Sequence, residues 1–189
     1  NLIDTPGHVD FAAEVERSMR VLDCAILVLS AVEGVQAHTV TIWDALKALE
    51  IPVILFINKV DRMGADAAAV FQDLKQRFSV DVALMSQVID EGSNEASIAS
   101  VEGEGLQQLV ESVAAKDDGL LERYLNEDTF SLQDLEETIA GCVPTRDLFP
   151  VLCGVAKNSI GVESLLDKVI TYFPDAGSLT DAPPSGVVF

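Results

Sequence analysis

Basic residues are scarce in this 189-residue chain: 12 Lys and Arg stand against 31 Asp and Glu, a formal net charge of −19. So acidic a chain repels phosphate backbones at long range, which excludes a basic nucleic-acid-binding face and leaves any such contact to local geometry. Cysteine is sparse and odd in number. Cys24, Cys142 and Cys153 lack metal-type spacing and sit in or beside apolar stretches, so they read as reduced, buried thiols of a cytosolic protein, not as a disulfide framework or zinc site. Long hydrophobic runs are missing too. Ala25 to Leu29 and Ile51 to Ile57 fall far short of the ~20 residues that span a bilayer, so no membrane contact is expected. The first residues, Asn1-Leu2-Ile3-Asp4, carry neither a basic leader nor a signal-peptide core, which points to a cytoplasmic location. Apolar residues themselves are plentiful, at 49%. That fraction excludes a disordered chain and suffices for one domain, or one domain with a small appendage.

Buried strands and amphipathic helices alternate along the chain. Ala25-Ile26-Leu27-Val28-Leu29, Ile51 to Ile57 and Leu148 to Cys153 are short continuous apolar runs, the pattern of strands covered on both faces of a parallel sheet. Helical spacing is found over Phe11 to Val21, about His38 to Leu49, Ala67 to Phe78 and Gly161 to Phe173, the last with Val162, Leu165, Leu166, Val169 and Ile170 on its apolar side. The alternation predicts an α/β fold with a doubly wound, mainly parallel sheet. Asn1 to Asp4 reads as the end of a strand, and Pro183 to Phe189 as a linker running into a new one.

Residues 86–140 differ from the rest. They hold 14 acids and two bases, so −12 of the −19 falls on them and −7 on the remainder. Gly92-Ser93-Asn94 and Gly103-Glu104-Gly105 read as turns, and Leu120 to Leu125 and Leu132 to Ile139 as short acidic helices. This stretch reads as a small acidic, α-rich insertion into the core. The expected organisation is a core over 1–85, the insertion over 86–142, the core's last strand and helix over 143–174, and a linker with the start of a β domain over 175–189. Solvated surface accounts for most of the insertion's charges; a docking face for a partner is the alternative.

Chemistry in an open α/β sheet belongs at the carboxyl ends of its strands, and two polar clusters fall there. In Asp4-Thr5-Pro6-Gly7-His8, a strand-end carboxylate can hold Mg²⁺ through a water, and the glycine lets a backbone N–H approach a phosphate with no Cβ in the way. His8 would then sit within reach of whatever attacks that phosphate. In Asn58-Lys59-Val60-Asp61, the Asp61 carboxylate can accept two hydrogen bonds from the ring N–H and exocyclic amine of guanine, which adenine does not supply. Asn58 would brace the loop and the Lys59 stem could lie over the ring. Each cluster follows a buried apolar run, so coincidence would have to supply both sequences and both contexts.

Asp4-Thr-Pro-Gly-His8-Val-Asp-Phe11 followed by Asn58-Lys-Val-Asp61-Arg62 closely resembles the GTP-binding domain of translational GTPases, above all elongation factor G and the tetracycline-resistance ribosomal protection proteins. The likeness extends over essentially the whole chain, through Asp117 to Leu125, Phe149-Pro150-Val151 and Ala156-Lys157-Asn158. It implies a P-loop GTPase fold, GTP or GDP with Mg²⁺ as ligands, the ribosome as partner and a monomeric protein. It also implies that His8 positions the water attacking the γ-phosphate once the ribosome orders the switch regions. By the same resemblance, the loop at Ala156 and Lys157 closes over guanine with backbone N–H groups reaching its carbonyl.

The chain departs from the family pattern in three ways. Val155 stands before Ala156 where a serine is usual, which removes a loop-bracing hydroxyl. The segment from Asn58 to Asn158 is shorter than in a housekeeping elongation factor G, favouring the ribosomal protection or paralogous branch. The Gly-rich phosphate loop with its lysine, and the switch threonine, are not among these residues, so the 189 residues alone are expected to be inactive. Among other polar or large residues, His38 reads as an ordinary residue near a helix start and Trp43 as core packing. Asp10, Glu14 and Glu16 read as a solvated first helical turn. A non-catalytic interaction module derived from such a domain is the alternative function, and an ATPase is disfavoured by Asp61.

Overall fold

The computed structural model describes residues 1–5 and 12–173, apart from the side chains of 12–14 and 16. Pro6, Gly7, His8, Asp10 and Phe11, the side chains of Glu14 and Glu16, and the expected linker from 175 onward lie outside the described residues.

In chain order the elements are α1 (Ala12–Met19), β1 (Ala25–Ser30), α2 (Ala37–Ala48), β2 (Val53–Asn58), α3 (Ala67–Phe78), β3 (Val82–Leu84), β4 (Ser86–Ile89), β5 (Ser97–Ser100), α4 (Gly103–Ala114), α5 (Asp118–Leu125), α6 (Leu132–Thr145), β6 (Phe149–Gly154) and α7 (Val162–Tyr172). One 3₁₀ turn, Ala156–Asn158, separates β6 from α7. The main sheet runs β1-β2-β6-β3, and every pair in it is parallel. β4 and β5 form a separate antiparallel hairpin.

The sheet is wound on both faces, as the run-and-helix alternation predicts. Val53, Leu55 and Ile57 of β2 point to one side, into a core shared with α1, α2 and α3. Ile54 and Phe56 point to the other, among residues of α4, α5, α6 and α7. A continuous apolar run is therefore required at β2, where period-2 alternation would leave one layer without a floor. Trp43 belongs to the first core, 3% exposed, with its ring stacked on Phe78 at 4.3 Å and edge-on to Phe149 at 4.9 Å. Local chemistry fixes the helix starts: the Asp66 carboxylate accepts from the Ala69 N–H at 2.8 Å, the Asp117 carboxylate from Leu120 at 2.8 Å, and Ser131 with Asp134 makes a reciprocal capping box.

Four expectations are corrected. Asn1 to Asp4 is irregular and not a strand: a strand exists through its ladder, and among the described residues β1 is paired only with β2, with Leu2 91% exposed. Gly103-Glu104-Gly105 opens α4 and is no turn. Burial of Leu109, Val110, Val113 and Ala114 along one face offsets the ~1 kcal/mol that each glycine costs a helix, and Gly103 enters with φ +55. On α7 only Leu165 of the five apolar positions is fully buried, and Leu166 and Ile170 are 54% and 80% exposed, because nothing among the described residues covers that side. Of the three free thiols only Cys153 is buried; Cys24, just before β1, and Cys142, on α6 at the edge of the second core, are partly buried.

Truncating Trp43→Ala removes both aromatic contacts and leaves a cavity in the first core, with an expected cost of about 3–5 kcal/mol. Urea denaturation followed by circular dichroism, needed because this is the chain's one tryptophan, checks the value. A loss under about 1 kcal/mol would contradict the packing described.

Candidate functional site

Register decides where the site can be. Ser30 pairs with Asn58 and Asn58 with Gly154, so β1, β2 and β6 end at one level and their loops leave the same edge. Those loops are then tied together by side-chain and backbone polar groups.

Asn58 is the central tie. Its Oδ1 accepts from its neighbour's N–H, Lys59, at 2.8 Å and from the N–H of Ala156, 98 positions along the chain, at 3.0 Å. The carboxamide thus braces the loop as the sequence suggests and also locks it to the loop after β6. The cost is that the Ala156 N–H, expected to face a guanine carbonyl, already has a partner; the exposed Lys157 is the adjacent residue. Lys59 has φ +66, a left-handed conformation uncommon outside glycine, held here by the bond its N–H makes. Its ammonium lies 3.6 Å from the Glu33 carboxylate in the loop after β1, a partly exposed pair of small energetic weight. Val60 is fully buried, anchoring the loop, and the next residue, Asp61, is half-buried with no hydrogen-bond or ion-pair partner among the described residues. A carboxylate held at a rigid loop with its acceptors unused is suited to a ligand that brings two donors.

The loop after β6 is shaped by two glycines that sequence inspection did not single out. A Cβ on Gly154 would lie 2.4 Å from the Ile160 carbonyl oxygen and 2.6 Å from the Phe56 ring, and one on Gly161 would lie 2.4 Å from the Cys153 carbonyl oxygen. Gly161 also has φ +76. Their absence of side chains lets Val155 and Ile160 close the loop through hydrogen bonds at 2.9 and 3.2 Å, which brings Ala156 to Asn58. Val155 is 2% exposed, so apolar packing secures the loop base. Beneath it, the Ser86 hydroxyl accepts from the Cys153 N–H at 2.8 Å, and burial pushes the Cys153 thiol up to about 12, keeping it protonated and inert.

A cavity of about 260 Å³ lies at the same edge beside β1, lined by Ser30, Glu33, His38, Asn58 and Lys59 among others. His38 stands in the first turn of α2, and its Nε2 is buried with no hydrogen-bond partner among the described residues, so it is less ordinary than its position suggests. Asp4 is exposed and Thr5 half-buried, both in irregular chain, with no bond to the Asn58 loop among the described residues. The structure therefore joins Asn58, Lys59 and Ala156, with Asp61 and Lys157 on the same two loops, and does not assemble Asp4 and Thr5 with them. Pro6, Gly7 and His8 are outside the described residues. Among those described, no group of three His, Cys, Asp or Glu side chains is placed to hold a metal ion, and no helix is long and apolar enough to cross a membrane.

Parallel strands, doubly wound helices and polar loops clustered at the carboxyl edge define an α/β domain of the P-loop GTPase type. Comparison with known proteins makes the assignment specific: the chain belongs to the family of the elongation factor Tu GTP binding domain, which matches residues 1–175. It is 40% identical to the tetracycline resistance protein TetP of Clostridium perfringens over 100% of this chain and 29% of that protein. It is 39% identical to the tetracycline resistance protein TetW of Butyrivibrio fibrisolvens over 100% of this chain and 29% of that protein. Elongation factor G of Ureaplasma parvum serovar 3 is 36% identical over 97% of this chain and 30% of its own length. The chain thus spans about three tenths of the relatives it matches. A crystal structure of a protein from Thermus thermophilus superposes with a TM-score of 0.75 at 26% identity, covering 90% of this chain and 29% of that one.

Replacing Asn58→Ala removes the shared acceptor of two backbone N–H groups, with an expected loss of about 1–3 kcal/mol. Amide exchange at Lys59 and Ala156 should accelerate together. Faster exchange at only one of them would show that the two loops are not joined through this side chain.

Proposed function

We propose that this chain is the guanine-nucleotide-binding part of a translational GTPase, and that the whole protein binds GTP and hydrolyses it on the ribosome in an elongation-factor-G-like step. That step is translocation or ribosomal protection against tetracycline. The observation that carries the proposal is the Asn58 brace with the Asp61 carboxylate beside it, unpaired among the described residues. Asp61 accepts from the guanine ring N–H and exocyclic amine, a pair of donors adenine lacks, and a half-buried acceptor left unmatched by the wrong base penalises that base. The Lys59 stem covers the ring, and the Lys157 backbone, with Ala156 if Asn58 releases it, meets the guanine carbonyl.

The residues fit guanine; for the phosphates and Mg²⁺ the fit rests on chemistry alone. Asp4 would hold the ion through a water, Thr5, Pro6 and Gly7 would bind the nucleotide, the Gly7 N–H serving the phosphate, and His8 would orient the attacking water. The metal, when bound, neutralises charge building on the phosphate oxygens. The protein works as a cytoplasmic monomer with no membrane contact. Residues 1–85 and 143–174 form the nucleotide-binding core, 86–142 its acidic insertion, and 175–189 a linker into a following β domain.

Titration with fluorescent GDP tests the ligand. The whole protein should bind it in preference to the adenine analogue, and the isolated 189 residues should bind weakly and not hydrolyse GTP. Micromolar, Mg²⁺-dependent binding by the isolated chain would contradict the second expectation. The role of His8 is separable: His8→Ala should abolish ribosome-stimulated hydrolysis while leaving nucleotide affinity nearly intact, as measured by phosphate release and equilibrium binding. Equal loss of both would make His8 structural.

The second reading, a non-catalytic interaction module, draws on the net −12 over residues 86–140. An intact Gly-x-x-x-x-Gly-Lys-Ser/Thr elsewhere in the whole protein favours the enzyme, and a broken one favours the module.

A further inference from the structure

The guanine loop is gripped from outside the α/β core. The chain leaves β2 at Asn58 and enters α3 at Ala67, and both ends of that connection meet the turn between β4 and β5. Gly92 donates its N–H to the Val60 carbonyl at 2.8 Å. Its neighbour Glu91 accepts on Oε1 from the Ala67 N–H at 2.7 Å. Two consecutive residues of the hairpin therefore clasp the segment on either side of Asp61.

The clasp is itself rigid. Asp90 and Gly92 have φ +53 and +78, so the turn coils tightly. The Ser93 hydroxyl donates to the Asp90 carbonyl at 2.8 Å and accepts from the Glu95 N–H at 3.1 Å. Ala96, 3% exposed, roots the turn in the core. The turn also lies close against the loop beyond Asp61, since a Cβ on Gly92 would sit 3.6 Å from the Arg62 carbonyl oxygen.

We infer that Glu91 is a positioning residue for guanine recognition, holding the Asp61 loop in register through the first turn of α3. The inference rests on the reading of Asp61 as the guanine-binding carboxylate. A helix start has donors with no partner in the helix and favours negative charge; here Asp66 takes the Ala69 N–H and Glu91 the Ala67 N–H, dividing those donors between a local cap and a distant one. The Asp61 side chain has no hydrogen-bond or ion-pair partner among the described residues to fix its direction, so its placement depends on the backbone held at Val60 and Ala67. Matching two guanine donors at once demands that placement to within a few tenths of an ångström, and a loop freed at one end meets the demand only part of the time. The contact to the exocyclic amine is the part of that loss that can be read directly, because that donor is what separates guanine from hypoxanthine.

The test uses the full-length protein carrying this chain, as wild type, Glu91→Ala and Glu91→Gln. Each is titrated with GDP and with IDP, which lacks the exocyclic amine, and amide exchange is followed over residues 60–67 alongside the melting temperature. Glu91→Ala should narrow the GDP-over-IDP preference by roughly tenfold, the factor one charge-assisted hydrogen bond carries, and speed exchange at Ala67. Glu91→Gln keeps an acceptor oxygen and should retain most of the preference. A Glu91→Ala protein with a lower melting temperature but an unchanged GDP-to-IDP ratio overturns the inference, since the residue would then be merely structural. A wild type with no preference for GDP over IDP overturns the guanine reading itself, and this inference with it.

Discussion

The Asn58 carboxamide oxygen, accepting from both Lys59 and Ala156, is the interaction on which the candidate site depends. It joins loops whose sequences lie far apart, and it can do so only because Asn58 and Gly154 are paired at the end of adjacent parallel strands. The parallel register is in turn imposed by burial. With β2 covered on both faces, a slip of one residue would exchange its two sets of side chains between cores of different shape. Hydrophobic packing thus sets the register, and the register sets the chemistry.

Acidic charge is distributed by the same logic. The first face of the sheet is closed by helices that the α/β alternation supplies. The second is closed largely by the net-negative stretch, whose α4, α5 and α6 contribute Val113, Leu120, Leu135 and Ile139 to the core. That stretch stands apart by charge but is an integral layer by packing. Tyr172 of α7 and Glu136 of α6 make the point at one contact: the phenol donates to the carboxylate at 2.7 Å, and burial raises the Tyr172 phenol above its ordinary range. The charges face solvent while the apolar stripes of the same helices hold the strand that carries Asn58.

Much of this was legible beforehand. The buried strands, the span of α3 and the polar loop from Asn58 to Asp61 all stand out because continuous apolar runs, helical periodicity and a four-residue motif are local signals. Other features left no such trace. Gly103 and Gly105 look like a turn until Val113 and its neighbours bury the helix they start. Gly154 looks like any residue after a strand, and its need to be glycine appears only when Phe56 and Ile160 arrive beside it. Asn1 to Asp4 reads as a strand by composition, yet a strand requires a neighbour's ladder.

By itself, then, the sequence determined the class of fold, the chemistry available at the strand ends and the uneven placement of charge, because periodicity, residue type and composition are properties of short stretches. Only the tertiary structure decided which of those groups meet. It joined Asn58 to Ala156, set Glu91 on the start of α3 and left Asp61 without a polar partner among the described residues, because hydrogen bonds between distant segments exist only after burial has fixed the register of the strands that deliver them.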